Sequence, residues 1–348
     1  MDSYICAQKF GAKGDGATDD TTAIQAAIDE AAKTGSAVFL GGGTYMCGTL
    51  KMRPHTALCG EPTWGYRQVK GAVIQLNDPN VKCQIDVTGT LGVTISGICL
   101  EGGGIGNGVH GIMLDNPDFG KTECNIRIER CRINGYSGNG VHLNKIWVFS
   151  MRSNMIAHNG SNGVYCYGWD GWVLDTWLTG NGGAGFFSER DAAAITFTGN
   201  RVEWNRTGGF VMKSCNTLNI TGNFFDRNGG PALLISGDET GWSKTYTVTG
   251  NIFKRNGASK THANPHHDAQ VYLTNMRGLT MVGNASQAYR GDIEGTNVSP
   301  SYGFVYGSLS HSVIKDNVLF EGANKELFVD LGGNEQLIFK DNVGSLYE

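Results

Sequence analysis

Three segments of this sequence repeat one pattern: ITFTGNRVEWN (residues 195–205), LNITGNFFDRN (218–228) and YTVTGNIFKRN (246–256). In each copy, apolar and polar residues alternate over about five positions, which is typical of a strand with one buried face. Each copy then reaches Gly-Asn, a turn pair, because glycine accepts positive φ and asparagine tolerates the left-handed region. The repeat therefore predicts a strand, a tight bend and a second short strand.

The same unit extends over most of the chain when the copies are aligned on the asparagine of the turn. Its shortest interval is 23 residues, and the longer intervals indicate insertions in loops. A propeller blade needs roughly 40 residues, so the shorter unit favours a stacked coil with two or three short strands and no helix. The aligned positions are Ile98, Cys131, Asn154, Trp177, Asn200, Asn223, Asn251, Asn284, Asn317 and Asn342.

We therefore predict an all-β fold, a single-stranded right-handed parallel β-helix or solenoid. Parallel coils stack at the sheet spacing of ~4.8 Å, so Asn200, Asn223 and Asn251 should form an amide ladder. Residues 1–50 differ from the repeats and predict an N-terminal cap, continuous with a solenoid over residues 51–348 as one domain overall.

The predicted cap contains an amphipathic α-helix that covers the open end of the first coil. Asp19 and Asp20 offer an N-cap and favourable charge at its start, and Gly35 marks its end. The apolar face of this predicted helix is formed by Ala23, Ile24, Ala27, Ile28 and Ala31.

The composition argues against several classes of partner. Hydrophobic residues make up 40% of the 348 residues and charged residues 17%, which fits a well-buried protein. The net charge of −4 and the lack of a basic run argue against a nucleic-acid partner. Nine cysteines stand at irregular spacings without a CxxC pair, which predicts neither a disulfide framework nor a zinc site. We expect no metal, no cofactor and no membrane span.

Two stretches resemble the opening of the pectate-lyase-like superfamily of right-handed β-helix proteins: FGAKGDGATDDTTAIQAAIDEA (residues 10–31) and AVFLGGGTY (residues 37–45). That superfamily includes polysaccharide lyases, glycoside hydrolases, uronan C5-epimerases and phage tailspike depolymerases, so the resemblance implies a poly- or oligosaccharide partner. It also implies a homotrimer, as in many such depolymerases, and favours a secreted or virion-associated location. Since no signal-like apolar stretch follows Met1, we expect a protein inside a cell or virion, or one whose export signal was removed.

Two subfamily patterns within this resemblance are incomplete here. The polygalacturonase-type set of paired aspartates, Gly-His-Gly and Arg-Ile-Lys is absent as a group. The epimerase-like Tyr-x-x-Asp-Pro-His is approached by Tyr136, Asn139 and His142, with asparagine in place of the acid. The resemblance therefore indicates a carbohydrate partner more firmly than a mechanism.

Stacking the strands after the second turn predicts two outward columns of side chains. The first is His142, Tyr165, Phe187 and Val211, and the second is Asn144, Tyr167, Glu189 and Lys213. Aromatic rings can stack on sugar rings, cations and amides can hold hydroxyls or uronates, and two carboxyls can supply acid and base. We predict Glu189, Asp191 and Asp170 as catalytic residues. The predicted substrate-binding residues are Tyr165, Tyr167, Trp169, Trp172, Arg190, Lys213, His142 and Asn144.

These residues predict a carbohydrate-active enzyme, first of all a glycoside hydrolase. Residues i and i+2 of a strand lie ~6.6–7 Å apart on one face, so Glu189 as base and Asp191 or Asp170 as acid would favour inverting hydrolysis. Two alternatives stay open. One is a polysaccharide lyase acting on a uronate, with Lys213, Arg190 or Tyr167 as base, and the other is a non-catalytic glycan-binding β-helix such as an adhesin or tail component.

Two further groups of residues are weaker candidates. Glu203, Asp226 and Lys254 form another predicted outward column, three residues after each ladder asparagine. The segment HANPHHDAQ (residues 262–270) concentrates histidines in one insertion, and we interpret it as a polar loop over the groove rather than a metal site.

Overall fold

The computed structural model of this protein describes residues 4–61, 63–238, 241–257, 259, 262–289 and 299–348. The chain divides into two compact units, Met1–Trp172 (unit 1) and Val173–Glu348 (unit 2). Both units are built from β-strands, and α1 (Thr21–Ala31) is the α-helix found among the described residues. None of these residues forms a helix long and apolar enough to cross a membrane. The predicted single-domain organisation, with its boundary at residue 50, stays a prediction.

The strands of unit 1 form three rows in which each strand pairs in parallel with the next. Row 1 is β5–β8–β11–β14, row 2 is β1–β3–β6–β9–β12–β14 and row 3 is β2–β4–β7–β10–β13–β15. The bounds are β1 Tyr4–Cys6, β2 Asp15–Asp19, β3 Ala37–Leu40, β4 Gly43–Cys47, β5 Leu50–Lys51, β6 Ala57–Gly60, β7 Ala72–Leu76, β8 Cys83–Asp86, β9 Thr94–Ser96, β10 Cys99–Glu101, β11 His110–Asp115, β12 Ile126–Glu129, β13 Arg132–Asn134, β14 Val141–Arg152, β15 Met155–Ala157 and β16 Val164–Leu174.

Unit 2 likewise contains three rows of parallel strands. Row 4 is β18–β21–β24–β27–β29–β31, row 5 is β19–β22–β25–β27–β29–β32 and row 6 is β17–β20–β23–β26–β28–β30–β33. The bounds are β17 Trp177–Thr179, β18 Ala184–Ser188, β19 Ala193–Thr198, β20 Arg201–Glu203, β21 Gly208–Lys213, β22 Asn216–Thr221, β23 Phe224–Asp226, β24 Leu233–Ser236, β25 Ser243–Thr249, β26 Ile252–Lys254, β27 Ala269–Val282, β28 Ala285–Gln287, β29 Tyr302–Lys315, β30 Val318–Leu319, β31 Glu326–Asp330, β32 Glu335–Lys340 and β33 Val343–Gly344. Successive coils thus pair strand on strand, which is consistent with a parallel β-helix.

The predicted asparagine ladder is confirmed in unit 2. The side-chain nitrogen of Asn223 donates to the Phe197 carbonyl and to Asn251 Oδ1, both at 2.9 Å. Its Oδ1 accepts from the backbone and side-chain nitrogens of Asn200 at 2.9 and 3.0 Å. One buried amide therefore satisfies two backbone groups of the preceding coil, and the glycine before it has φ +65°. The ladder continues through Asn284, Asn317 and Asn342.

A second ladder, which the alignment did not predict, runs along the last asparagine of each repeat. Asn181 donates to Asn205, Asn205 to Asn228 and Asn228 to Asn256, with side-chain distances of 2.8–3.0 Å. Gln270 Oε1 ends this ladder by accepting from Asn256 at 3.1 Å. Both bends of the repeat are therefore held by buried amides.

The alignment of Trp177 with the first ladder is wrong. The N–H of Thr176 donates to Asn200 Oδ1 at 3.0 Å, so Thr176 holds the ladder position, 24 residues before Asn200. Trp177 begins β17, and its indole N–H donates to Glu203 at 2.8 Å. In unit 1 the weaker members are confirmed, because the Cys131 N–H donates to Asn154 Oδ1 at 3.0 Å. Ile98 has the matching register, since its carbonyl accepts from Arg132 N.

The cap helix forms, but its start differs from the expectation. Ile24, Ala27, Ile28 and Ala31 are fully buried, and the helix contacts β3 and β5. Asp20 stands at the N-cap position without a side-chain cap bond, because its carboxylate accepts from Lys13 N and Gly14 N at 2.7 and 3.0 Å. The helix ends at Ala31, and a turn follows it to Gly35, which has φ +67°.

The strand residues that alternate with the predicted outward columns should face the core, and the structure confirms this. All of them are fully buried: Val141, Leu143, Val164, Cys166, Phe186, Ser188, Phe210 and Met212. The nine cysteines are free thiols. Burial raises the pKa of the Cys131 thiol to about 12, so this residue behaves as a buried apolar side chain.

We expect Asn223→Ala to lower the free energy of unfolding by about 1–3 kcal/mol, because it leaves two buried backbone groups of the preceding coil without partners. Asn219→Ala is the matched control, since Asn219 is exposed on the same coil. Urea unfolding followed by circular dichroism measures both variants. Equal unfolding midpoints for the two variants would contradict a stabilising role of the ladder.

Candidate functional site

Three rings lie stacked on the outward side of row 1 and β16. The centroids of His110 and His142 are 4.6 Å apart with their planes within 13°, and those of His142 and Tyr165 are 4.7 Å apart within 8°. His142 is paired with Met113 of the neighbouring strand and lies between the inward residues Val141 and Leu143. The predicted column of His142 and Tyr165 is therefore confirmed, and His110, which lies outside the column register, adds a third ring to the stack.

The hydrogen bonds around Asn139 fix the tautomers of both histidines. The backbone N–H of Asn139 donates to His110 Nδ1 at 2.9 Å. Asn139 Oδ1 accepts from the N–H of Asn162 at 3.0 Å, so its amide nitrogen is the atom that faces His142 Nδ1 at 3.1 Å. Both Nδ1 atoms are thus acceptors, and each neutral ring carries its proton on Nε2.

Both histidines are held in their neutral form. Burial and the neighbouring His142 lower the pKa of His110 to about 4. Burial also lowers the pKa of His142, and the charge of Asp115 opposes that shift. At neutral pH this face therefore presents two uncharged imidazoles beside a phenol.

A second group of rings lies beside polar side chains in unit 1. Phe119, in the loop between β11 and β12, stacks on Trp169 at 3.9 Å with the planes within 4°, and it meets Tyr167 edge-on at 5.3 Å. Asn144 lies two residues after His142 in β14 and is paired with Asp115 of β11. Its side chain donates to the exposed Asp115 carboxylate at 2.7 Å. Trp169 and the predicted Trp172 are 37% and 44% exposed, and Phe119 covers one face of the Trp169 ring. We call His110, His142, Tyr165, Asp115, Asn144, Phe119, Tyr167 and Trp169 the aromatic face. Trp172 lies past the positive φ of Asp170 and follows Gly171, which approaches the Phe149 ring of row 2, so its substrate-binding role stays a prediction.

Asp170 is anchored next to this face. Its Oδ2 accepts the indole N–H of Trp147 at 2.8 Å, and its backbone has φ +57°. Asp170 is half-buried, so its carboxylate keeps access to solvent. An indole N–H that holds one carboxylate oxygen leaves the other oxygen available to accept or give a proton.

The strand argument for Glu189 and Asp191 is wrong. Strand β18 ends at Ser188, and both acids lie exposed in the connection before β19, with φ +49° at Asp191. The i, i+2 spacing of an extended strand therefore does not apply to this pair. The argument for inverting hydrolysis, which rested on that spacing, does not apply either. Arg190 is exposed in the same connection. Lys213 is exposed at the end of β21, in register with Ser236. The catalytic and binding roles of these residues, and the pairing of Tyr167 with Glu189, stay predictions.

The alternative column in row 6 has the predicted register but not the predicted exposure. Glu203 pairs with Asp226, and Asp226 with Lys254. Glu203 and Asp226 are only 4% and 2% exposed. Arg255 binds Asp226 through two nitrogens at 2.8 and 2.6 Å, yet burial outweighs it and raises the pKa of Asp226. These acids form a buried ion cluster rather than an open surface.

Three comparisons with known proteins agree with this fold. A model of the rhamnogalacturonase A/epimerase, pectate lyase-like family matches residues 4–253 of the chain. The chain belongs to this family. The superfamily resemblance predicted from the N-terminal residues is thereby confirmed.

Individual relatives cover different shares of the chain. A capsule depolymerase of Klebsiella phage K5-2 is 31% identical over 145 residues, which are 39% of this chain and 18% of the depolymerase. A glucan 1,3-beta-glucosidase of Cochliobolus carbonum is 27% identical over 181 residues, 47% of this chain and 22% of the glucosidase. The chain thus spans about a fifth of the length of these curated relatives.

Among solved structures, the A-module of mannuronan C-5 epimerase AlgE4 from Azotobacter vinelandii shares the fold. Its TM-score is 0.72 at 18% identity, and the match covers 98% of this chain and all of that module. At this identity the likeness concerns the fold alone.

Within this pectate lyase-like member, the partial epimerase-like pattern divides between core and surface. Tyr136 is 1% exposed, and its hydroxyl hydrogen-bonds Gln84 in the core, so it cannot reach a substrate. His142 belongs to the aromatic face, and Asn139 supports that face through its hydrogen bond to His142. Asn139, which stands where the epimerase-like pattern has an acid, therefore contacts the His142 ring directly.

Several residues of the site were not predicted from the sequence. His110 and Asp115 lie in β11, and extending the outward columns by one coil would have found Asp115 opposite Asn144. Phe119 comes from an insertion without periodicity, so no pattern placed it beside Trp169. Trp147 was overlooked because φ is positive at Lys145 and Val148, which breaks the alternation along β14.

We expect the neutral form of His110 to make stability pH-dependent. Its folded pKa of about 4 lies below the unfolded value of about 6.5. The stability it contributes is therefore complete above pH ~6.5 and is lost as the pH falls towards 4. Denaturant unfolding should show a smaller loss over this window in His110→Gln than in the wild type. His311→Gln, which changes an exposed histidine of unit 2, is the control. Identical pH dependence of stability in the wild type and both variants would contradict the lowered pKa of His110.

We also expect Asn139→Asp to reverse the tautomer of His142. A carboxylate accepts where the amide donated, so the ring proton moves to Nδ1 and the pKa of His142 rises. Two-dimensional NMR of the imidazole nitrogens reports which nitrogen carries the proton. The control is Asn219→Asp on an exposed strand position. An unchanged Nε2–H pattern in Asn139→Asp would show that Asn139 does not set the tautomer.

Proposed function

We propose that this chain is a carbohydrate-active enzyme that cleaves glycosidic bonds of a poly- or oligosaccharide, and that it folds as a right-handed parallel β-helix. The observation that supports this function is the aromatic face of unit 1. Sugars offer apolar C–H faces to aromatic planes such as Trp169 and Phe119, and hydroxyls to Asp115 and Asn144. The names of the two curated relatives, a capsule depolymerase and a glucosidase, also describe saccharide-processing enzymes.

Hydrolysis with carboxyl groups as acid and base is the proposed chemistry. The candidate acid in unit 1 is Asp170, beside the aromatic face, which supplies the substrate contacts there. In unit 2 the candidate carboxyls are Glu189 and Asp191, with Arg190 and Lys213 as the predicted substrate contacts. The tautomer of His142 supports carboxyl catalysis, because Nδ1 is occupied by Asn139 and Nε2 carries a proton. A neutral ring in this state donates a hydrogen bond but cannot accept a proton from substrate.

Elimination on a uronate is the second candidate, and the stack of Tyr165 on His142 is the observation that favours it. The Nε2–H of His142 could hold the uronate carboxylate, which elimination must neutralise. Tyr165 would take the proton from C5 and return it to the glycosidic oxygen as the C4–O bond breaks and the C4–C5 double bond forms. A glycan-binding protein without turnover would use the same face. A homotrimer remains the assembly that the family resemblance suggests.

We expect Glu189→Gln, and either Asp191→Asn or Asp170→Asn, each made separately, to lower kcat while glycan binding is retained, because hydrolysis uses one base and one acid. Loss of a general acid or base should cost about 10²–10⁴ in rate. Asp316→Asn, an exposed and paired carboxylate in unit 2, is the control and should keep full activity. Rates are measured on a polysaccharide panel as reducing ends and, in parallel, as absorbance of unsaturated uronates.

The two readouts separate the candidates. Reducing ends without unsaturated product indicate hydrolysis, and both signals together indicate elimination. If the protein binds its natural glycan but forms neither product, the enzyme hypothesis is wrong and a glycan-binding protein without turnover is indicated. If all three carboxyl variants keep full activity, the proposed acid and base are wrong.

We expect Trp169→Ala to weaken glycan binding a few-fold to about tenfold, because it removes the exposed ring that Phe119 supports. Phe320→Ala is the matched control, since Phe320 is an exposed ring of unit 2 outside this face. Isothermal titration with the glycan that scores in the panel measures both variants. Equal glycan affinities of Trp169→Ala and Phe320→Ala would show that the aromatic face is not part of the binding site.

A further inference from the structure

Aromatic rings on the outward side of row 6, or directly after its strands, carry positive side chains. A cation within ~6 Å of a ring centroid is in the range of a cation–π contact. Among the described residues of this side, the pairs are Arg227 with Trp204 at 4.7 Å, Arg201 with Phe224 at 5.1 Å and Lys254 with Tyr289 at 5.3 Å. The two members of each pair belong to neighbouring coils. Rings and cations therefore occur together along this side of unit 2.

The bend after each row 6 strand places Trp204 and Arg227 one above the other. Both residues directly follow their strand and have positive φ, +59° and +53°. The Trp204 N–H donates to the Asp226 carbonyl and the Arg227 N–H to the Lys254 carbonyl, both at 3.1 Å. The two residues thus hold equivalent positions on neighbouring coils, which lie ~4.8 Å apart. The backbone therefore fixes the guanidinium over the indole ring.

The two carboxylates of this group are covered by cations. Glu203 contacts Arg201 Nε at 3.0 Å. Asp226 accepts from Arg255 through two nitrogens, at 2.8 and 2.6 Å, and also contacts Arg227. Because both acids are buried, a ligand on this side meets the cations rather than the carboxylates.

The accessible charges of this group are positive. Its cations outnumber its carboxylates by four to two, whereas the whole chain has a net charge of −4. The Arg201 side chain is 56% exposed and Lys254 is half-buried, so both reach solvent. Glu321, a half-buried acid, follows β30 and lies two coils beyond Lys254. A negatively charged ligand therefore fits this surface better than a neutral or positive one.

Trp204 keeps a large accessible surface although Arg227 lies over its ring. Trp204 is 51% exposed and Tyr289 is 39% exposed, and Ile252 of the intervening β26 is 44% exposed. Exposed apolar groups rimmed by polar ones mark interaction sites. The strands before the two rings, β20 and β28, are three coils apart, which corresponds to roughly 14 Å at ~4.8 Å per coil. An extended ligand with several rings can contact both, whereas a single sugar residue cannot.

We propose that the outward side of row 6 binds an acidic polysaccharide. Pyranose rings stack on Trp204 and Tyr289, and carboxylates along the ligand lie on Arg201 and Lys254. We call these four residues the row 6 site. A polyuronate has a ring and a carboxylate in every residue, which matches a surface where rings and cations recur from coil to coil. The choice of a saccharide rests on the proposed function, but the row 6 site uses none of the residues of the aromatic face and binds without cleavage.

Equilibrium binding to the full chain, measured by isothermal titration, tests this proposal with three hexamers. They are hexagalacturonate, maltohexaose as the uncharged saccharide, and hexaglutamate as the polyanion without sugar rings. We expect saturable binding of hexagalacturonate, and binding of the other two weaker by about tenfold or more, since each lacks one kind of contact. Raising the salt concentration from about 0.1 M to about 1 M should weaken hexagalacturonate binding, because it screens the exposed cations.

Variants then locate the binding site. Trp204→Ala should weaken hexagalacturonate binding by about tenfold, and Lys254→Met several-fold. The matched controls are Phe10→Ala, an exposed ring of unit 1, and Lys340→Met, a lysine that is 61% exposed elsewhere in unit 2. Each variant is made both in the wild type and in Trp169→Ala, which weakens the aromatic face. Equal effects of Trp204→Ala in both backgrounds assign the binding to row 6, and thermal unfolding confirms that every variant is folded.

Three results would overturn the proposal. The first is a lack of saturable hexagalacturonate binding at millimolar concentration. The second is equal affinity for hexagalacturonate and either of the other hexamers. The third is unchanged affinity in both Trp204→Ala and Lys254→Met. Sedimentation of the same samples covers the other occupant: if the wild type self-associates, Trp204→Ala does not and no hexamer binds, row 6 is an interface between copies of this chain.

Reducing ends and unsaturated uronates are assayed in parallel on the same samples. Loss of cleavage in the carboxyl variants of the proposed enzyme, with hexagalacturonate binding intact, leaves the row 6 site unaffected. Binding at row 6 without any cleavage by the wild type contradicts the proposed enzyme alone. Failure of the row 6 site and failure of the proposed function are therefore told apart.

Discussion

Buried asparagine amides, stacked one per coil, are the interaction on which the rest of this structure depends. A bend in a β-coil leaves backbone N–H and C=O groups that cannot join a sheet, and burying them unsatisfied would cost roughly 1–3 kcal/mol each. Asn223 satisfies two such groups on the coil before it and also bonds the next amide of the ladder, on the coil after it. Because each amide serves a neighbouring coil, asparagine recurs at most of these turns, whereas Thr176, Cys131 and Ile98 hold the position at others.

These ladders determine where the chain can vary. Coils held on both sides by ladders tolerate insertions only in the connections between strands. Phe119 lies in one such connection, in unit 1, and the histidine-rich residues 262–268 lie in another, in unit 2. Outward side chains are the second place for variation, since a change there leaves the inward packing of residues such as Phe186 and Phe210 intact. Candidate chemistry therefore gathers on strand faces and inserted loops, which is where functional residues of rigid scaffolds are usually found.

The repeat alone allowed the strands, the inward positions and the first ladder to be predicted, because hydrophobic alternation and buried amides leave a period in the sequence. The second ladder has the same period and could have been predicted from Asn205, Asn228 and Asn256. Exposure is harder to predict. Glu203 and Asp226 were placed outward correctly, yet arginines and Trp177 cover them. The connection after Ser188 broke the alternation that was assumed for Glu189 and Asp191.

The partners of a side chain, rather than its position, decide what His142 can do. Its place in the stack follows from the repeat, but its tautomer follows from Asn139, whose orientation is fixed in turn by the N–H of Asn162. An acid at position 139 would accept from Nδ1 and leave Nε2 free to take a proton, whereas the amide makes Nε2 a donor. One atom, nitrogen in place of oxygen, therefore separates a binding histidine from a basic one on the same scaffold. This is why membership of the family determines the fold of this chain but leaves its reaction to be decided by the contacts of individual residues.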